Sequence, residues 1–253
     1  MNKGISTITD LRFLDHLEIL RRKLIPVILG FFICSGFFFL FGEKILSYLT
    51  APLKELSVSL VYIKPQEKVI SYLKAACLAG FLVSFPLLVL QIASFVYPAL
   101  KKGERPGFFL VTGSMILFFT AGTVFAYFIL LPFACTFFFS FASGDGIQPF
   151  WSIGAYVSLA SSLIVLIGAV FQLPLPLLFL VRVGLLEPGA LRKFRKHAIV
   201  LAFLAAAFLT PPDIYTQGVV GITLYLLFEL TLLMARFITR KNKETDTWID
   251  GNS

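Results

Sequence analysis

Long apolar runs separated by short polar segments give the chain its organisation. A helix needs about 20 apolar residues to cross a hydrocarbon core roughly 30 Å thick, and most of the runs approach or exceed that length. The six runs are 24–42, 69–100, 108–142, 151–181, 198–210 and 214–235. The pattern therefore predicts an all-α, polytopic membrane protein with six transmembrane helices.

The predicted helices differ in length. At 1.5 Å per residue, the fifth run would be about 20 Å long, and the sixth would reach about 22 Å before Glu229. The third would measure about 52 Å if straight, and Pro132 is expected to bend it because an interior proline removes a backbone hydrogen bond and collides with the preceding turn. These lengths predict a concave bundle with short helices five and six in a locally thinned bilayer. The alternative is that Arg195, Lys196 and Arg236 reach to the membrane surface and absorb the mismatch.

Basic residues are distributed unevenly among the polar segments. Of the 22 lysines and arginines, 17 lie in the N-terminal segment, after the second and fourth runs, and in the C-terminal tail. Because cytoplasmic segments carry an excess of Lys and Arg, both termini are expected in the cytoplasm. We predict a cytoplasmic N-terminal segment over 1–23, a membrane domain over 24–237 and a cytoplasmic tail over 238–253. The net charge of +8 fits this flanking role, so nucleic-acid binding is not expected.

Few side chains within the apolar runs offer chemistry. The two histidines lie at basic flanks, and the three cysteines lack the spacing of a metal site or a disulfide framework. Sequence patterns of hydrolases and phosphate-binding proteins do not occur, so no enzymatic activity, metal or cofactor is expected. Gln172 is expected to bond a neighbouring helix. Glu229 is expected either to be solvated at the interface or to face a polar groove.

Several short motifs occur in the order of a known family. The earlier ones are His16-Leu-Glu-Ile-Leu-Arg-Arg-Lys-Leu24, Ala51-Pro52-Leu53, and Tyr97-Pro-Ala-Leu100 followed by Lys102-Gly-Glu-Arg105. The later ones are Phe125-Ala-Tyr-Phe128 with Pro132, Phe171-Gln-Leu-Pro174, Leu209-Thr-Pro-Pro-Asp213 with Gln217, and Phe228-Glu229. Over about residues 11–240, the chain resembles the TatC family, a subunit of the Sec-independent, twin-arginine protein translocase.

The resemblance implies a receptor and core subunit that moves folded proteins across the cell inner membrane, driven by the proton-motive force. It implies that cytoplasmic residues bind signal peptides bearing two consecutive arginines. Glu104 would be the principal contact, together with Glu18, Arg21, Arg105 and Phe95. A carboxylate suits this role because it accepts two parallel hydrogen bonds from a guanidinium group.

The resemblance also implies assembly with other subunits. Single-helix proteins of the TatA and TatB type are expected to dock at Thr210, Gln217 and Gln172, and the complex is expected to contain several copies of this chain. Structural turns are expected at Pro52, Pro211, Pro212 and Asp213.

The chain departs from the family pattern at two positions. Ile19 stands where the family usually has Glu, and Gln172 stands where it often has Glu. Glu18 would point about 100° away from position 19 on a helix, so we expect it to replace the missing carboxylate only in part.

Two other functions fit an apolar helical chain. A small-molecule secondary transporter would need paired charges at the membrane midplane, and the sequence shows no internal repeat of the kind that many transporters have. A purely structural scaffold would tolerate any substitution of Glu104.

Overall fold

The computed structural model describes residues 4–56, 58–97, 105–142, 150–182, 186, 188–210 and 214–250. Most of this backbone is helical. The helices are α1 (Gly4–Phe39), α2 (Gly42–Leu49), α3 (Glu67–Val96), α4 (Arg105–Phe125), α5 (Leu131–Ala142), α6 (Ile153–Val170), α7 (Pro174–Arg182), α8 (Pro188–Lys193), α9 (Arg195–Leu209) and α10 (Ile214–Asp250). A 3-10 helix covers Ala51–Leu56, and the strands β1 (Leu60–Val61) and β2 (Trp151–Ser152) pair in a two-stranded sheet.

Five helical stretches are long and apolar enough to cross a membrane, judged by length and composition in the described part of the chain. They are Arg21–Phe39, Glu67–Phe95, Val111–Phe141, Ile153–Val181 and Ile214–Ala235. The prediction of an all-α, polytopic membrane protein is confirmed by these spans. The short fifth helix of the prediction is α9, whose 15 residues measure about 22 Å. A sixth crossing by α9 stays a prediction, as does the concave shape of the bundle.

The chain divides into two compact units, each built from separate stretches of sequence. The first unit comprises Met1–Thr50, Tyr62–Ile116 and Ser152–Ser158. The second unit comprises Ala51–Val61, Leu117–Trp151 and Leu159–Ser253. The division into a terminal segment, a membrane domain and a tail, drawn from charge and hydropathy, stays a prediction.

In the first unit, α1 and α3 pack closely because small residues lie between them. A methyl group added to Gly80 would collide with Ser35 Oγ and lie 2.7 Å from the Ser35 backbone nitrogen. A methyl group added to Gly30 would lie 2.7 Å from Leu87. Gly30 of α1 meets Leu87 of α3, and Ser35, further along α1, meets Gly80, which is earlier in α3. The two helices are therefore antiparallel.

In the second unit, a π-helical turn at Ala126–Leu130 joins α4 to α5. The Leu131 N–H bonds the Ala126 carbonyl, five residues back rather than four. Pro132 explains this turn, because its ring has no N–H to donate and collides with the carbonyl four residues earlier in a regular helix. Pro132 is therefore preceded by one wide turn, and the bend predicted there stays a prediction.

The fourth span is interrupted at residues 171–173, between α6 and α7. Pro174 is the first residue of α7, a position where the missing N–H costs no helical hydrogen bond. Just before the break, Gly168 permits a close contact, since a methyl group there would lie 2.8 Å from Phe119 and from Thr123.

The last two helices of the second unit form a hairpin. The Phe203 ring of α9 covers Gly221 of α10, where a methyl group would lie 2.8 Å from a ring carbon. A buried apolar cluster joins α7, α8 and α10 through Leu178, Val181, Leu191, Leu232 and Ala235. α10 continues to Asp250, so most of the predicted tail, residues 238–250, is helical.

Candidate functional site

The antiparallel register of α1 and α3 brings part of the predicted signal-peptide site together. In the pairs Gly30–Leu87 and Ser35–Gly80, the two residue numbers add up to 117 and 115. Continued toward the start of α1, this register places residue 21 opposite residues 94–96 and residue 18 about one turn further on, at the end of α3. The predicted contacts Glu18, Arg21 and Phe95 therefore lie at the same end of the α1–α3 pair.

The first turn of α4 lies at this end as well. The Tyr97 ring, directly after α3, has its centroid 5.7 Å from the Phe108 ring and 5.9 Å from the Phe109 ring. Arg105, another predicted contact, is the first residue of α4. Glu104, the predicted principal contact, lies outside the described residues.

Glu18 is exposed and holds one arginine of its own helix. Arg22 Nη2 donates to Glu18 Oε1 at 2.8 Å, one helical turn away, with 57% of the Glu18 side chain and 77% of the Arg22 side chain exposed. Such exposed pairs contribute roughly 0.3–0.5 kcal/mol. A second guanidinium can therefore compete for this carboxylate at little cost. Arg21 is exposed beside it.

The predicted docking residues lie in two places in the second unit. Thr210 ends α9, and Gln217 lies in the first turn of α10, so both flank the same connection. The Thr210 hydroxyl donates to the Ala206 carbonyl at 2.8 Å and is buried, whereas Gln217 is half-buried. Gln172 instead lies in the break between α6 and α7, where its backbone N–H donates to the Ala169 carbonyl at 3.0 Å.

One of the four predicted structural turns falls in the described part of the chain. Pro52 lies in the 3-10 helix Ala51–Leu56, which packs against α5 within the second unit. Pro211, Pro212 and Asp213 lie outside the described residues. The turn role of Pro52 stays a prediction.

Sequence reasoning missed a carboxylate at the start of α3. Glu67 accepts hydrogen bonds from the backbone N–H groups of Ile63 at 2.7 Å, Lys64 at 3.1 Å and Gly154 at 2.8 Å, and from the Ser152 hydroxyl. Only an ionised carboxylate accepts all four bonds, so the charge is held in place by the first unit. The sequence offered one signal, an acid in the first turn of a helix, which explains part of this arrangement.

Sequence reasoning also left the partner of Glu229 open. Arg195 Nη2 donates to Glu229 Oε2 at 2.6 Å, and the Tyr225 hydroxyl donates to Glu229 Oε1 at 2.9 Å. The Glu229 side chain is 23% exposed. Glu229 therefore joins α10 to the start of α9 through an ion pair. Whether it is solvated at the interface or faces a polar groove stays a prediction.

In the described part of the chain, no three His, Cys, Asp or Glu side chains lie close enough together to hold a metal ion. The site residues that the structure describes are instead separate charged, polar and aromatic groups near helix ends. An arrangement of this kind suits the binding of peptides or helices at the membrane surface.

Comparison with known proteins identifies close relatives. The family model for TatC, described as the Sec-independent protein translocase protein, matches residues 15–222. The TatC protein of Aquifex aeolicus is 34% identical over 233 residues, covering 91% of this chain and 97% of the relative. The TatC protein of Magnetococcus marinus is 36% identical over 242 residues, covering 92% of this chain and 86% of the relative. A crystal structure of the twin arginine translocase receptor TatC superposes with a TM-score of 0.75 at 34% identity, covering 88% of this chain and 99% of that one.

Proposed function

The chain belongs to the TatC family of Sec-independent protein translocase proteins, and from this premise we propose that it receives twin-arginine signal peptides at Glu104 and Glu18. Membership makes it a membrane component of the twin-arginine translocase, a complex that transports proteins. The match disfavours the small-molecule transporter considered as the alternative. The receptor site proposed here lies where the start of α1, the end of α3 and the start of α4 meet in the first unit.

The observation that best supports this site is the exposed Glu18 carboxylate at the same end as Phe95 and the aromatic group around Tyr97. A carboxylate binds a guanidinium through two parallel, charge-assisted hydrogen bonds. Nearby aromatic rings offer a face to the second arginine. Arg21 and Arg22 add positive charge, so attraction at long range is weak. Salt screens their repulsion of the arginine pair beyond roughly 8–10 Å, and recognition must come from hydrogen bonds formed at contact.

Crosslinking from position 104 tests the proposal. A photoreactive side chain at that position in the full chain should crosslink a signal peptide bearing two arginines, and should crosslink a twin-lysine peptide much less. Lysine cannot form the two parallel bonds that arginine forms. Equal crosslinking of the two peptides would show that the position does not recognise the arginine pair.

Charge-neutralising substitutions provide the second test. Glu104→Gln should weaken peptide binding by about 10- to 100-fold, the equivalent of losing a hydrogen bond to a charged group worth about 1.5–3 kcal/mol. Glu18→Gln should have a smaller effect because Arg22 already occupies one of its oxygens. Glu43→Gln, an exposed acid in α2, is the matched control. Binding that is equally strong in all three variants would refute the roles of Glu104 and Glu18.

We further propose that single-helix subunits of the TatA and TatB type dock near the connection of α9 and α10. Because Thr210 bonds its own helix, Gln217 is the residue we assign to the partner. Hydrogen bonds between membrane helices contribute about 0.6 kcal/mol, so Gln217→Leu should weaken co-purification of the partner about threefold. Thr223→Val is the control, since the Thr223 hydroxyl bonds the Val219 carbonyl at 2.7 Å. A larger loss in Thr223→Val than in Gln217→Leu would refute the assignment.

We propose a cell inner membrane location with both termini in the cytoplasm, several copies of the chain in one complex, and transport driven by the proton-motive force. The distribution of Lys and Arg supports the orientation. A reporter protein that works only in the cytoplasm should be active when fused to either terminus, and a phosphatase that works only outside the cytoplasm should be inactive there. A phosphatase that is active when fused to either terminus would reverse the orientation.

A further inference from the structure

A cavity of about 500 Å³ lies inside the second unit, among α7, α9 and α10. Its walls are apolar and include Leu177, Ala202 and Leu224. Of its polar lining, the Thr231 hydroxyl donates to the Leu227 carbonyl at 2.8 Å and is thereby satisfied. A space of this size and composition suits a hydrocarbon chain.

A basic segment borders the cavity. Phe194 and His197 line its edge. The residues beside them in sequence, Arg192, Lys193 and Lys196, are exposed. Exposed cationic side chains are therefore adjacent in sequence to two residues that line the cavity.

Among the side chains that the structure describes, no acidic group neutralises this border. Glu229 is committed to Arg195 at 2.6 Å and to the Tyr225 hydroxyl at 2.9 Å. Over 187–197 the sequence holds four lysines and arginines against one acid, Glu187, which lies outside the described residues. After the Arg195–Glu229 pair is set aside, the border keeps a net positive charge.

If α9 crosses the bilayer as predicted, its length brings this charge close to the lipid phosphates. Its 15 residues measure about 22 Å, less than the roughly 30 Å hydrocarbon core. A bilayer adapts to a short helix by thinning locally, and the headgroups then meet the basic residues that precede the helix.

We propose that this cavity binds one acyl chain of an anionic phospholipid, and that the basic border formed by Arg192, Lys193, Lys196 and His197 binds the phosphate of the headgroup. The inference is independent of the receptor role proposed above. Anionic lipid headgroups attract basic side chains at the membrane surface, and a zwitterionic lipid with the same acyl chains lacks this net attraction.

Charge complementarity favours a lipid over a signal peptide as the occupant. Both have an apolar segment that could enter an apolar space. A twin-arginine signal carries two positive charges beside that segment, which the basic border repels. The phosphate of an anionic lipid carries the opposite charge and is attracted.

The test measures lipid binding to the full chain in detergent by native mass spectrometry, with phosphatidylglycerol and phosphatidylcholine of identical acyl chains. Phosphatidylglycerol should bind at least about fivefold more tightly. The combined substitution Arg192→Gln, Lys193→Gln and Lys196→Gln should remove this preference. The combined control, Lys44→Gln, Lys54→Gln and Lys64→Gln, removes the same charge at three exposed lysines elsewhere and should keep the preference.

A second pair of variants tests the cavity itself. Ala205 lines it, so Ala205→Phe should fill it and weaken the binding of both lipids at least about fivefold. Ala207 is exposed on the same helix, and Ala207→Phe should bind lipid as the unmodified chain does. If Ala205→Phe fails to fold, the exposed substitutions of the basic border still decide the question.

Three results would overturn the inference. The first is equal affinity of the unmodified chain for the two lipids. The second is the same loss of preference in both triple variants, because net charge alone would then explain binding. The third is that Ala205→Phe keeps lipid binding but loses binding of a twin-arginine peptide, because the occupant would then be the signal peptide.

Discussion

Adding one methyl group at Gly80 should force α1 and α3 apart. In the Gly80→Ala variant, the new carbon would collide with Ser35 Oγ and lie 2.7 Å from the serine backbone nitrogen and 2.8 Å from its Cα atom. Non-bonded heavy atoms favour separations of about 3.5–4.0 Å. Rotation of the serine side chain does not relieve the two backbone contacts, so the helices must separate by roughly 1 Å. Overpacking of this kind costs about 1–3 kcal/mol.

The matched control lies next to Ser35. Nothing lies within 4 Å of a methyl group added to Gly36, so Gly36→Ala changes the same helix without a collision. Alanine is a better helix former than glycine by about 1 kcal/mol, and this variant should be as stable as the unmodified chain or more stable. Thermal unfolding in detergent, followed by circular dichroism, should therefore show a lower Tm for Gly80→Ala only.

A double variant separates the side-chain collision from the backbone collision. Ser35→Gly combined with Gly80→Ala removes the clash with Oγ and leaves those with the nitrogen and the Cα atom, so it should regain only part of the lost stability. Because α1 carries Glu18 and α3 carries Phe95, Gly80→Ala alone should also weaken signal-peptide binding. An unchanged Tm in Gly80→Ala, or complete rescue by Ser35→Gly, would refute this description of the α1–α3 interface.

Two further predictions concern the carboxylates that sequence reasoning placed incompletely. Glu67→Gln puts an amide N–H₂ among groups that donate to the carboxylate and should lower stability by about 1.5–3 kcal/mol in denaturation measurements. Glu43→Gln, at an exposed position, should change stability by less than about 0.5 kcal/mol. Arg195→Gln leaves the mostly buried Glu229 without its cation and should lower stability more than Arg195→Gln combined with Glu229→Gln. A double variant less stable than the single one would contradict that coupling.

Much of the helical architecture was predictable because it depends on local sequence. A predominantly apolar run long enough to cross the membrane predicted each of the five spans, and Pro132 indicated that the third would not be a regular helix throughout. The form of that irregularity, a π-turn shortly before the proline, was not predictable, because helices can accommodate a proline in several ways.

The candidate site was harder to predict, since it depends on which residues of distant elements meet. Glu67 appeared as one acid in a polar segment, and two of its donors, Ser152 and Gly154, lie 85 and 87 residues further along the chain. The register that brings Glu18 and Phe95 to the same end likewise depends on the close approach of Gly80 and Ser35. Contacts between residues so far apart in the chain leave no periodic pattern in the sequence.

The Glu67 network also has a consequence for biogenesis. Its last donor is Gly154, so the full set of hydrogen bonds to the carboxylate can form only after 87 more residues have been synthesised. At about 5–20 residues per second, this delay lasts roughly 4–17 s. During that interval Ile63 and Lys64 can already donate to the carboxylate, and water at the membrane surface must supply the bonds that Ser152 and Gly154 make later. The nascent first unit should therefore stay sensitive to proteolysis until the start of α6 has emerged from the ribosome, and resistance should appear only after that point.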